Sequence, residues 1–254
     1  MTVRRCASAI FWLLALQASA GAAPPSKSGF EYLTPETRQL QNDDFRNPGM
    51  LWVEKGRALF TKAEATGKSC QSCHADSRRM APLIVRYPRY LDVAGRVINL
   101  EQQINRCRTE HLHVAAWDYE SELLLAMTSF LAHQARGLQI EVAIDGHAAA
   151  SLERGREFFY RRRGQYNLAC ASCHEEHAGG RLHGEVISQG QTNGFPIYRQ
   201  LWQTLGSTHR MFAWCNEAIR AEPYAPGSQE YVDLELYERW RSRGLKVEAP
   251  AVRR

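Results

Sequence analysis

After its first twenty residues the sequence has no apolar run near the roughly 20 residues that a membrane-spanning helix needs. No transmembrane segment is therefore expected in that part of the chain. A dense Lys/Arg stripe is also missing. Lys and Arg outnumber Asp and Glu by only 32 to 27, and the one short basic run, Tyr160–Gly164, reads as a solvated helix end. A nucleic-acid partner is accordingly not expected. Strand signals are weak throughout, and no βαβ pattern frames the two Cys-x-x-Cys pairs, which disfavours a thioredoxin-like redox site. Neither pair has a second ligand pair at finger-like spacing, which disfavours structural zinc. What remains is an ordinary globular composition, 44% apolar and 23% charged, in 254 residues. That length holds one large domain or two small ones.

The N-terminus has three parts: the basic pair Arg4 and Arg5, an apolar stretch from Ala9 to Leu16, and small residues with Ala-x-Ala patterns ending at Ala20 and Ala22. This is the layout of a secretory signal peptide, expected over residues 1–20 with cleavage at 20 or at 22–23. The mature chain would then be exported to the periplasm. Cys6 leaves with the peptide, and six of the seven cysteines remain. In an exported chain, six cysteines would by default form disulfides.

Four of the six instead stand in two copies of one motif. The first is "SCQSCHADSR", with Cys70, Cys73 and His74; the second is "ACASCHEEHA", with Cys170, Cys173 and His174. Two thiols three positions apart on one turn can each form a thioether with a haem vinyl group. The adjacent histidine then lies under the iron. Cys-x-x-Cys-His is accordingly a c-type haem attachment signal, and two copies imply two covalently bound haem c groups.

The duplication extends beyond the motif. "VEKGRALF" (Val53–Phe60) matches "LERGREFF" (Leu152–Phe159), and each precedes its motif by a similar interval. Both read as helices, with Phe60 and Phe159 expected against the haem. A polar stretch rich in Gly and Pro follows each motif and ends at a lone cysteine, Cys107 or Cys215. Each half closes on an apolar period of three and four, with Leu124, Met127 and Leu131 in the first and Tyr231, Leu234 and Tyr237 in the second. The expected fold is mainly α, two tandem class I cytochrome c-like domains. The first spans 21–145 and the second 146–254, because periodicity lapses over Ala135–Ala150.

Each haem iron would take His74 or His174 and needs a sixth ligand. In cytochromes c that donor is usually methionine or histidine from the stretch before the last helix, where Cys107 and Cys215 stand here. A thiolate at each iron is one reading, since a coordinating thiol is deprotonated outright. A Cys107–Cys215 disulfide, two inert thiols, or ligation by Met80, Met127, Met211, His111, His113, His133, His177, His183 or His209 remain open on the residues alone. The matched placement of the two cysteines favours the thiolates.

Two Cys-x-x-Cys-His motifs, each followed by a lone cysteine, resemble the dihaem form of the SoxA family. The run from Tyr198 to Gly244 carries the most specific likeness, with "RAEPY" and "EYVDLELY" after the second cysteine. The resemblance spans essentially the whole mature chain. In the monohaem branch a disulfide replaces the first haem, so intact Cys70, Cys73 and His74 imply the dihaem branch. The resemblance implies the catalytic subunit of the SoxAX cytochrome complex, an L-cysteine S-thiosulfotransferase. Such enzymes join thiosulfate oxidatively to a cysteine of a SoxYZ-type carrier and pass two electrons through haem to a small SoxX-type cytochrome c. It further implies that Cys215 is the catalytic cysteine, found in the family as a persulfide on the second haem iron. Cys107 then corresponds to the thiolate ligand of the first. The family's substrate-binding arginine stands four residues before the catalytic cysteine. Met211 occupies that position here, leaving the adjacent Arg210 and Arg220, five residues after Cys215, as candidates. A thiosulfate dehydrogenase forming tetrathionate and a purely electron-transferring dihaem cytochrome c are the competing readings.

Overall fold

The computed structural model describes residues 25–182 and 184–254. The expected signal peptide and His183 lie outside the described residues.

Thr34 opens the first helix, its hydroxyl accepting from the Thr37 amide, and a proline fills the first helical position of α1 (Pro35–Asn42). The "VEKGRALF" segment lies in α2 (Met50–Thr61), and the first motif is a short helix of its own, α3 (Cys70–His74). After α4 (Ala81–Ile84) comes a hairpin of β1 (Arg89–Leu91) and β2 (Arg96–Ile98), antiparallel with Tyr90 opposite Val97. Helix α5 (Leu100–Arg106) runs directly into a π-helical turn, Cys107–His111. The half closes on α6 (Glu122–Gln134).

The second half repeats this order. It runs through α7 (Ala149–Tyr160), the motif helix α8 (Cys170–His174), a two-residue-strand hairpin of β3 (Arg181–Leu182) and β4 (Glu185–Val186), then β5 (Ile197–Arg199) and β6 (Thr204–Gly206). Helices α9 (Thr208–Ala218) and α10 (Gln229–Arg241) follow, and β7 (Ala251–Arg253) ends the chain. The short strands are the part of the fold that weak strand signals hid.

Two helix crossings hold the halves together internally, α2 on α6 and α7 on α10. The matched glycine of each repeat sits at the crossing. A methyl at Gly56 would strike the Ala126 carbonyl, and one at Gly155 would strike the Asp233 carbonyl. The larger core gathers Val53, Phe60, Met127 and Phe130 from the first half. It also takes in Val232 and Leu236 of α10 and Val247 and Ala249 beyond it. The smaller core holds Phe158, Phe159, Tyr231, Leu234 and Tyr237. Helix α10 is therefore buried on two faces. Residues after α10 bridge the halves: β7 lies parallel to β5 of the second half, while the Val252 amide donates to Gln41 and Asn47 donates to the Pro250 carbonyl at 2.9 Å in the first. Among the described residues no helix is long and apolar enough to cross a membrane.

Candidate functional site

Both motif helices start at the first cysteine, with the residue before it as the N-cap. Ser69 and Ser72 cap α3 reciprocally: the Ser69 hydroxyl accepts from the Ser72 amide at 3.2 Å, and the Ser72 hydroxyl accepts from the Ser69 amide at 3.0 Å. In α8 the Ala169 amide donates to the Ser172 hydroxyl at 3.3 Å. Starting the helix there puts the two thiols on one turn and the histidine next to the second. Cys70, Cys73, Cys107, Cys170, Cys173 and Cys215 are all free, so no disulfide joins Cys107 to Cys215. Among the described residues no three His, Cys, Asp or Glu side chains converge as a metal site.

In the second half His174 is held in place. Its Nδ1 lies 2.9 Å from the Ser188 carbonyl, which fixes that nitrogen as the donor and leaves Nε2 with the free lone pair. Burial holds the imidazole below its ordinary pKa, in the neutral form that ligates iron. Gly190 makes room beside it: at φ +75°, a Cβ there would come within 2.9 Å of the His174 ring. Cys215 stands on α9, within electrostatic reach of Cys173 on α8. Burial pushes its thiol up to about 11, the Arg199 guanidinium opposes the rise, and the Cys173 thiol and Glu238 carboxylate add to it. Cys170 is likewise pushed up by burial, with Glu238 and Cys215 adding to the rise.

The first half brings together the corresponding groups. Burial raises the Cys70 thiol, and Cys107 is the leading charge acting on it. The Phe60 ring sits 6.5 Å from His74. Cys107 lies at the start of the π-helical turn, where its sulfur accepts from Gln103 Nε2 at 3.2 Å.

The two halves share one register counted back from the lone cysteines. Pro88 precedes Cys107, and Pro196 precedes Cys215, by nineteen residues, and each opens the hairpin before the cysteine helix. Asn99 and Ser207, both eight residues before the cysteine, cap that helix. Within this frame two positions differ in chemistry. Gln103, the donor to Cys107, is matched by Met211, which has no N–H to give. Leu91 of the first hairpin is matched by Arg199 of the second, each sixteen residues before its cysteine.

Arg210 and Arg220 have other partners. Arg210 donates to the Leu205 carbonyl at 3.2 Å and lies 4.4 Å from the Trp202 ring centre. Arg220, at φ +57°, donates to Gln165 and covers Tyr166. The arginine whose charge reaches Cys215 is Arg199, which counting from the chain neighbours of Cys215 did not find. Aligning the two hairpins backward from the cysteines is the signal that could have. Among the alternative ligands, Met127 is packed in the core and His209 is buried, accepting from the Gly227 amide with Nε2 3.1 Å from Glu235. His111, His113 and His177 are exposed.

These groups fit covalently held haem c: paired thiols on one turn, an adjacent imidazole with one nitrogen committed and the other free, and a second sulfur facing each motif from another helix. The known relatives agree. Residues 55–140 match the SoxA/TsdA cytochrome c domain model. The L-cysteine S-thiosulfotransferase subunit SoxA of Rhodovulum sulfidophilum is 44% identical over 89% of this chain and 80% of that protein. The same subunit of Paracoccus pantotrophus is 38% identical over 89% of this chain and 78% of that one. The crystal structure of SoxXA from P. pantotrophus superposes with a TM-score of 0.88 at 37% identity, covering 91% of this chain and 92% of the other. A mainly helical cytochrome c fold, the thiol and imidazole sets and these identities lead to one assignment: the chain belongs to the SoxA family of L-cysteine S-thiosulfotransferase subunits, which carry covalently bound haem c.

Proposed function

We propose that this chain is the dihaem, periplasmic form of the enzyme, built of two tandem cytochrome c units over residues 21–145 and 146–254 after removal of a signal peptide. The first unit would hold haem through Cys70 and Cys73, with His74 and Cys107 as the groups offered to its iron. The second would use Cys170 and Cys173, with His174 and Cys215. Haem c bound there supplies one-electron acceptors for the two electrons of the reaction. The reaction joins the terminal sulfur of thiosulfate to the cysteine sulfur of a SoxYZ-type carrier. One S–S bond forms, and one proton and two electrons leave. The electrons pass to a SoxX-type small cytochrome c, the partner named with the P. pantotrophus protein.

Cys215 is the sulfur at which this chemistry is centred, since exchange between thiols and S–S species runs by attack on a sulfur. The observation that carries this assignment is its setting. Cys215 is half-buried beside the second motif with a cation acting on it. Cys107, in the matched position, has its sulfur engaged by an amide. The Ser188 carbonyl orients His174 while Gly190 leaves room for its ring, and Glu238, buried and pushed up to about 7 by that burial, acts on the same sulfur.

The test is Cys215→Ala, purified with its haem content confirmed by intact mass and assayed with carrier and cytochrome. Loss of a sulfur nucleophile should lower turnover by several powers of ten, ~4 kcal/mol or more of barrier. Near-normal turnover would sink the assignment and favour a purely electron-transferring cytochrome.

A further inference from the structure

Arg199 ends β5 with its side chain turned inward, only 13% exposed. Its guanidinium lies 5.6 Å from the Trp202 ring centre and 5.5 Å from that of Trp214, the residue next to Cys215. The two indoles meet edge to face at 5.8 Å, so the cation sits against a paired aromatic wall. Its carboxylate contact is a long one, 3.5 Å from Nη2 to Glu185. Nε is buried and has no hydrogen-bond partner.

A guanidinium in a protein stays charged and cannot shed a proton to escape this environment. A buried N–H of a charged group without an acceptor is costly, and groups of this kind in a native fold call for an explanation. An anionic oxygen placed against Nε would supply the missing acceptor. Two sources could provide one: a sulfur oxyanion substrate, or a carboxylate of the haem itself. The first half decides between them. It carries the same attachment motif, the same hairpin and a cysteine at the same distance, yet has Leu91 where the second has Arg199. A cation needed only to hold haem would be wanted in both halves. A cation needed by an anionic substrate is wanted only where substrate comes.

We propose that Arg199 is the substrate-binding and specificity-determining cation of this site, donating through Nε to the oxygens of a thiosulfate-type dianion held beside Cys215 between Trp202 and Trp214. This inference rests on the assignment of Cys215 as the reacting sulfur. It moves substrate recognition from Arg210, which is committed to the Leu205 carbonyl, and from Arg220, which is committed to Gln165, to a residue on the hairpin.

The test measures binding rather than turnover. Equilibrium dialysis of radiolabelled thiosulfate against the oxidised holoprotein, with neither carrier nor electron acceptor present, gives Kd for the parent, Arg199→Leu and Arg199→Lys. Arg199→Leu, which installs the first half's residue, should weaken binding roughly tenfold to a hundredfold, the scale of a lost charge-assisted contact. Arg199→Lys should recover part of it, because the charge returns without the planar donor set. Haem absorption, and the haem count read from intact mass, should match the parent. If the leucine variant does not accumulate, Arg199→Gln carries the same expectation. Binding within about twofold of the parent would overturn the proposal. So would unchanged binding with a shifted haem spectrum, which would assign the arginine to the haem carboxylates. Cys215→Ala separates the two claims. If it loses conjugation while Arg199→Leu binds normally, the arginine alone is wrong. If it conjugates normally, the assignment of the site falls and this inference with it.

Discussion

The two halves place a cysteine in the same register and surround it differently. Cys107 begins a π-helical turn and accepts from Gln103 Nε2, with Leu91 at the end of the preceding strand. Cys215 lies inside the continuous helix α9, with Met211 in place of the glutamine and Arg199 in place of the leucine. A sulfur that accepts an amide hydrogen bond has part of its electron density committed, which suits a fixed ligand. A partly exposed sulfur without that donor, and with a cation nearby, is suited to meet an anionic partner. On the proposed function one scaffold would carry a spectator position and a reactive one, the difference lying in two side chains outside the Cys-x-x-Cys-His motif.

The frame itself can be broken in either half. Gly56→Ala and Gly155→Ala should each destabilise the holoprotein by ~3 kcal/mol, since a methyl there meets the backbone carbonyl of Ala126 or Asp233 rather than a movable side chain. Thermal unfolding should show each Tm lowered by roughly 6–12 °C. An effect confined to one half would deny that the two crossings are equivalent.

The difference at the cysteines can be exchanged. Met211→Gln offers Cys215 the donor that Gln103 gives Cys107, and conjugation should fall about tenfold, ~1.4 kcal/mol, with haem content unchanged. Turnover equal to the parent would show that the amide does not distinguish the halves. The converse change, Gln103→Leu, should leave conjugation close to normal. On the proposed ligation it should lower the first haem's reduction potential by roughly 60 mV, since an unbonded thiolate donates more strongly to ferric iron. Redox titration followed by electron paramagnetic resonance checks this, and an unmoved signal would remove Cys107 from the coordination sphere.

The smallest effect concerns the buried contact between halves. Glu101 and His209 stand in the same register, and both face Glu235. Burial, with Glu235 adding, pushes Glu101 up to about 8. The folded chain then keeps a proton that the unfolded chain releases above its ordinary value of 4.5, so stability falls as pH rises from there to about 8. Glu238, raised to about 7 by burial, acts in the same direction. Glu101→Gln should therefore flatten, without abolishing, the drop in Tm between pH 5 and pH 8. An unaltered profile would place the pH dependence elsewhere.

Much of the helical fold and the family were legible in the sequence. The segments around Gly56 and Gly155 form the helices their spacing implied, and "ESELLLAMTSFLAHQ" closes the first half as α6. For α10 the period marked Tyr231, Leu234 and Tyr237, yet Val232 and Leu236 are equally buried because the first half covers their face. The strands were missed because pairs and triplets of residues carry no measurable alternation.

The sequence by itself determined the attachment chemistry, because two thiols and an imidazole within five consecutive residues need only one helical turn to be aligned. It also determined the order of helices, since a 3.6-residue period is a local property. Tertiary structure alone decided what meets each sulfur. The exception is Gln103, which meets Cys107 from one helical turn away, a local contact along α5. Ser188 and Gly190 reach His174 from fourteen and sixteen residues along the chain. Arg199 is brought to Cys215 by a hairpin that must first form and pack against two tryptophans. Such contacts arise from how distant segments bury one another, which no local pattern encodes.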